Sequence, residues 1–304
     1  MKLSLEVWPN AIYEDADLVG VSTNSWGDKP VEWCVNRVAE CGYKGIDFFF
    51  DKFLDLDEKE YKRMEEELGG IVSSKGMEIA SLGAHYLNMS SKLWKREPGV
   101  AMVKKAIDFA SKVGTRTVVS YISGYYYPPT YKLIPFREAK KIFVEMVREC
   151  AQYAAERNVD FCIEPHDSTM INTPDITMEL IDEINMDNVY VCIDVAGVEI
   201  GMKPHMSIEE AINKFGKAIR HVHVKDVTGT IGNWNMCWFG AGLVNFKRYA
   251  EAFKSVGYDG YVCVEWEGWI KGGREGVGDT YGSGLADFDR VAEEAKDFLE
   301  KYFQ

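Results

Sequence analysis

No two cysteines stand in a CxxC arrangement, although seven are present, at positions 34, 41, 150, 162, 192, 237 and 263. The odd number without such pairs argues against a disulfide framework and predicts reduced thiols in a cytoplasmic chain. Nor is there an apolar run of about 18 residues, the length that spans a bilayer. The opening MKLSLEVWPN lacks the long apolar stretch and small-residue cleavage site of a secretory signal. Basic residues are the minority, 35 against 48 acidic ones, for a net charge of −13. Such a surface suits neither phosphate backbones nor anionic membranes, so no nucleic-acid or membrane partner is expected. A GxGxxG turn and a Walker GKS or GKT are also missing, which removes the usual dinucleotide and P-loop chemistries.

What is present is ample core material, 46% hydrophobic residues in a chain of 304. Apolar runs of strand length alternate with helix-period segments throughout. The spacing predicts strands at Leu18–Thr23, Gly45–Phe50, Ile79–His85, Thr117–Ile122, Asp160–Glu164, Val189–Asp194, Ile219–Val224 and Tyr261–Glu265. Each is nearly continuously apolar, as parallel strands covered on both faces are. Amphipathic stretches lie between them at Pro30–Cys41, Glu58–Lys75, Gly99–Val113, Arg137–Arg157, Pro174–Glu183, Ile208–Phe215, Phe246–Val256 and Leu285–Tyr302. Thr173-Pro174 is a helix-start pair, and Gly42, Gly114, Gly216 and Gly257 stand where helices end. Strict alternation with no linker or composition shift predicts α/β architecture, a closed (β/α)8 barrel, as one domain over 1–304. An open doubly wound sheet is the runner-up. The least regular segments, Asn88–Pro98, Gly124–Pro135 and Trp266–Gly284, each follow a strand and fall on the C-terminal face, where barrel active sites lie.

The late strands end in polar residues, within Ile163-Glu164-Pro165-His166, Ile193-Asp194, His221-Val222-His223-Val224-Lys225-Asp226 and Val264-Glu265-Trp266-Glu267. Strand side chains alternate, so Glu164, Asp194, His223 and Glu265 point inward together while Ile163, Ile193, Val222 and Val264 face the helices. Three carboxylates and an imidazole crowded at one mouth call for a divalent cation. One nitrogen among oxygens suits Mn²⁺, or Mg²⁺ or Co²⁺, better than a structural zinc, at one ion per chain.

With these motifs (IEPH, CID, HVHVKD and VEWE) over a full-length eight-unit pattern, the chain resembles the xylose isomerase-like barrels, the sugar phosphate isomerase/epimerase superfamily. The resemblance implies a Mn²⁺-type ion held by Glu164, Asp194, His223 and Glu265. In the ketose 3-epimerase branch it further implies that the two glutamates move a proton from opposite faces of a sugar. One position departs from the pattern. Many members carry a histidine three residues after the strand-six aspartate, where this chain has Gly197. His166, on the face of Glu164, is the expected replacement, with His205 as a second candidate.

Residues two places before each ligand, Cys162, Cys192, His221 and Cys263, are expected to fill the next inward layer as packing rather than as a Cys3His zinc site. Aromatic residues collect in the mouth loops: Trp26, Tyr86, Trp94, Tyr125 to Tyr127, Trp234, Trp238, Phe239, Trp266 and Trp269. They suit the apolar faces of a sugar or aglycone, or a subunit contact. Expected substrate contacts are His166, Lys225, Trp26, His85 and Trp266, and the catalytic set is Glu164, Glu265 and His166.

The expected activity is a metal-dependent isomerase or epimerase acting on a small sugar or sugar derivative by proton abstraction next to a carbonyl. The resemblance also admits lyases on the same site, an inosose-type dehydratase or the catalytic subunit of a C-glycoside deglycosidase. A non-catalytic sugar-binding barrel is a third reading. A homo-oligomer is expected, or a hetero-oligomer with a small β-sandwich subunit in the deglycosidase case.

Overall fold

The computed structural model describes residues 1–7, 26, 29–123, 135–166, 169–202, 206–230, 233–266 and 288–303. Eight parallel strands form a closed ring: β1 (Lys2–Val7), β2 (Gly45–Phe49), β3 (Glu78–Gly83), β4 (Thr117–Ser123), β5 (Asp160–Glu164), β6 (Val189–Asp194), β7 (Ile219–Val224) and β8 (Tyr261–Val264). Each pairs with the next, and β1 closes the ring on β8 through Leu3↔Val262 and Leu5↔Val264. The helices around it are α1 (Val31–Glu40), α2 (Glu58–Ser73), α3 (Leu93–Val113), α4 (Phe136–Ala155), α5 (Pro174–Ile184), α6 (Ile208–Phe215), α7 (Phe246–Ser255) and α8 (Phe288–Leu299). The chain is thus a TIM barrel. Among the described residues, no helix is long and apolar enough to cross a membrane.

Helical spacing places the core residues. In α1, Val31, Cys34, Val35 and Val38 recur on one face and are buried against the sheet. The Asp57 side chain caps α2 by accepting from the Glu60 N–H, and Thr173 caps α5 with Pro174 in the first turn. Ser207 and Glu210 close a capping box at α6. Gly114, at φ 85°, ends α3.

Two expectations need correction. The ring's first strand is Lys2–Val7, and the predicted strand Leu18–Thr23 lies outside the described residues. β1 escapes an apolar-run search because Ser4 and Glu6 alternate with Leu3, Leu5 and Val7, all five being buried. That pattern normally marks one wet face; here the second face is a polar barrel interior. Secondly, Asn88–Pro98 is not wholly irregular. Leu87–Asn88 pairs with Ile122–Ser123, and α3 begins at Leu93, before Pro98. The expected loops 124–134 and 267–284, with Tyr125 to Tyr127 and Trp269, lie outside the described residues, as does His205.

Asp226, next to the HVHVK run, has a structural task. Its side chain accepts the backbone N–H groups of Val227, Gly240, Gly242 and Val244 at 2.8–3.1 Å. It therefore ties down the segment leading from β7 to α7, including the antiparallel hairpin Asp226–Thr230 with Asn233–Cys237. The backbone approaches so closely that a Cβ at Gly242 would lie 2.2 Å from Asp226 Oδ1. Asp226→Ala leaves these donors without an acceptor, and we expect a loss of about 3 kcal/mol or more. Thermal unfolding of the metal-free protein checks this, and an unchanged midpoint would refute the anchoring role.

Candidate metal centre

Glu164 and Asp194 are the last residues of β5 and β6, His223 precedes the final residue of β7, and Glu265 directly follows β8. All four are buried. Inward alternation brings one carboxylate oxygen each of Glu164, Asp194 and Glu265 within 4.8 Å of one another. His223 Nδ1 stands 3.0 Å from Glu164 Oε1 and 3.4 Å from Glu265 Oε2. The Lys225 ammonium enters the same group, 2.7 Å from Glu265 Oε2 and 3.2 Å from Asp194 Oδ2. Asp194 is steadied by the Ala196 N–H, which donates to its Oδ1 at 2.9 Å.

Burial alone would push the Glu164 carboxyl up, but His223, His85 and Lys225 beside it hold it well below the usual carboxylate range. Burial alone would likewise push the His223 imidazole down, but Glu164 outweighs it and raises its pKa to about 9. Without a metal, His223 is therefore a cation at neutral pH, paired with Glu164.

The donors fit a divalent ion. Oxygen ligands about 2.1 Å from an octahedral ion stand about 3 Å apart when adjacent and about 4.2 Å when opposite. The His223 Nδ1 separations from Glu164 and Glu265, 3.0 and 3.4 Å, fall in that range, and the three carboxylate oxygens lie within 4.8 Å of one another. Charge also balances, since three carboxylates match Lys225 plus a divalent cation, with His223 neutral. Loading then requires His223 to lose its proton. At pH 7 we expect about one proton released per ion bound, and an affinity that rises with pH until about 9. Calorimetry in buffers of differing ionisation enthalpy measures this; binding without proton release would contradict the role of His223.

The predicted substrate residues divide. His85 reaches the group, with Nε2 3.8 Å from Glu164 Oε2 and its ring against Phe49 and Tyr121. Lys225 lies within it. The His166 ring stands 5.5 Å from Tyr121 in an edge-on contact. Tyr121 pairs in register with Glu164, so that contact is on the barrel side and not among the helices. Trp26 and Trp266 go elsewhere. Trp26 packs edge-on against Trp33 of α1 and Phe288 of α8, and Trp266 packs against Trp238. Both are almost fully buried, at 5% and 1% exposure, as parts of the hydrophobic core. Trp266 follows Glu265, so alternation turns it toward the helices.

The layer below holds the four residues expected to be packing, and His221 and Cys263 also lie within 4.8 Å of a ring nitrogen of His223. Cys162 and Cys192 cluster with Val119, and the His221 Nε2 stands 2.9 Å from Asp47 Oδ1. Ser81 Oγ also donates to Asp47. Burial raises the Asp47 carboxyl, yet the adjacent His221 imidazole and the Ser81 hydroxyl bring it below its ordinary value. The residues missed by sequence reading are Glu6, Asp47 and Tyr121. Their signal was a polar group inside an apolar strand, visible in SLEV, GIDFF and VVSYI.

A profile of the xylose isomerase-like TIM barrel family matches residues 35–299. An inosose dehydratase of Geobacillus thermodenitrificans is 24% identical over 263 residues, 79% of this chain and 83% of that protein. A ketose 3-epimerase of Arthrobacter globiformis is 22% identical over 262 residues, 81% of this chain and 80% of that one. The crystal structure of D-psicose 3-epimerase with D-tagatose from Clostridium cellulolyticum H10 superposes with a TM-score of 0.75 at 21% identity, covering 100% of both chains. The relatives are thus sugar epimerases and a dehydratase sharing one barrel, and this chain belongs to the xylose isomerase-like TIM barrel family.

Proposed function

We propose that the protein is a divalent-metal-dependent sugar isomerase or epimerase that abstracts a proton next to a carbonyl. The observation that carries this reading is the convergence of Glu164, Asp194 and Glu265 within 4.8 Å around His223. Asp194 and His223 hold the ion together with the two glutamates, and Mn²⁺ is the first candidate. The ion, when bound, polarises the substrate carbonyl and makes the neighbouring C–H more acidic. One glutamate removes that proton and the other returns one from the opposite face, which inverts the carbon. Lys225 and His85 bracket the same carboxylates and hydrogen-bond the oxygen on which negative charge develops. The substrate is a small sugar, and the chain works in the cytoplasm as a homo-oligomer.

The decisive experiment incubates metal-loaded protein with ketoses, inososes and 3-keto-glucosides in deuterated water. Deuterium at the carbon next to the carbonyl, with an epimeric product, supports the proposal. Elimination products would replace it with the lyase reading. Sugar binding that survives a chelator, with no exchange on any substrate, would leave a binding barrel.

A lyase is the second reading, favoured by the inosose dehydratase that aligns over most of both chains. In that case His166 gains a task, because elimination needs an acid or base placed above the ion, and an imidazole exchanges protons near neutral pH. Under the epimerase reading, His166→Ala weakens substrate binding and leaves turnover within about tenfold. Under a lyase reading the same change lowers turnover by about 100-fold or more with the metal retained. Steady-state kinetics with metal analysis separates the two. A C-glycoside deglycosidase is the lyase that would also need a small second subunit, and co-purification of such a subunit would point to it.

A further inference from the structure

β1 supplies none of the four proposed ligands, yet it carries a buried carboxyl into the same interior. Glu6 pairs in register with Asp47 of β2. Asp47 reaches His221 on β7 across the intervening β8 and β1, so the inward face of β1 lies within that span. Glu6 is two residues nearer the mouth than Ser4, as His223 is two nearer than His221, and the two histidine rings stand 5.3 Å apart at 89°. Glu6 and His223 are 3% and 1% exposed. Glu6 Oε2 and His223 Nε2 are both buried without a hydrogen-bond partner.

These two atoms are complementary. When Nδ1 of His223 gives its lone pair to a cation, its proton must sit on Nε2, since a neutral imidazole carries one N–H. A buried N–H without an acceptor is costly, and ligating histidines almost always give that N–H to a carboxylate, carbonyl or water. We propose that Glu6 is a positioning residue of the metal centre: its carboxyl accepts the Nε2–H of His223, directly or through one water, and holds the ring with Nδ1 toward the ion. Beyond burial, His223 exerts the largest influence on the Glu6 carboxyl, in keeping with their proximity. The inference rests on the metal reading above, and the test separates the two.

Metal-free wild type, Glu6→Leu and Glu6→Gln are titrated with Co²⁺ and followed by visible absorption and calorimetry. Wild type should bind about one ion per chain; failure there overturns the metal reading and this inference with it. Glu6→Leu should weaken Co²⁺ binding about 10- to 100-fold and alter the cobalt spectrum. Glu6→Gln, whose side-chain oxygen still accepts, should stay within about threefold. Thermal midpoints of the metal-free variants should match or exceed wild type, because Glu6 Oε2 is buried there without a hydrogen-bond partner. Leu within threefold of wild type, or Gln as weak as Leu, would overturn the role of Glu6. Should Glu6→Leu not fold, the wild-type cobalt protein decides alone. Its proton NMR spectrum should show a shifted, slowly exchanging ring N–H that is lost in His223→Ala, and absence of that resonance overturns the proposal.

Discussion

Glu164→Gln and Glu265→Gln should each lower turnover by about 100- to 10,000-fold, the usual contribution of a positioned base. Both substitutions keep size and one oxygen ligand, so metal affinity should fall far less than activity. Glu164 faces His223 and His85, and Glu265 faces Lys225 and His223, so both carboxylates border the same centre. Kinetics with metal content measured in parallel decides. Small and equal effects in both variants would place the base elsewhere, with His166 and Lys225 next in line.

Removing a proposed ligand that has no proposed catalytic duty should give the second large effect. Protein purified without chelator should carry about one divalent ion per chain, and His223→Ala and Asp194→Ala should each lower affinity and activity about 10- to 100-fold or more. Their consequences for the metal-free fold should differ. Asp194→Ala removes one anion from a crowded group but leaves Lys225 paired with Glu265. His223→Ala leaves Glu164 buried beside like charges with its nearest cation gone, so it should destabilise more. Elemental analysis and thermal unfolding measure the pair of effects. Full occupancy in both variants would refute the ligand set, and equal stability losses would refute this account of the charges.

The last four strands were legible because their chemistry and periodicity coincide. IEPH, CID, HVHVKD and VEWE each put one polar residue at the end of an apolar run, and alternation alone turned Glu164, Asp194, His223 and Glu265 to the same side. The first strand was not. Ser4 and Glu6 break the apolar run of Lys2–Val7, and only ring closure between Leu5 and Val264 identifies it as a barrel strand. Trp26 and Trp266 illustrate the opposite error. Their loop positions suggested sugar stacking, but large aromatic surfaces are also what seals the layer between sheet and helices, and both are buried there.

The sequence by itself determined the alternation of strand and helix from β2 onward, the acidic net charge, and the identity of the four groups at the ends of β5 to β8. These depend on residue type and on spacing along one strand or helix, which are local properties. Only the tertiary structure decided which distant groups meet: Lys225 between Asp194 and Glu265, His85 beside Glu164, and Asp47 against His221. Those contacts join strands far apart in the chain, and their pairing follows from stagger and closure of the ring. Periodicity fixes the face on which a side chain stands. The barrel's closure fixes what stands opposite it.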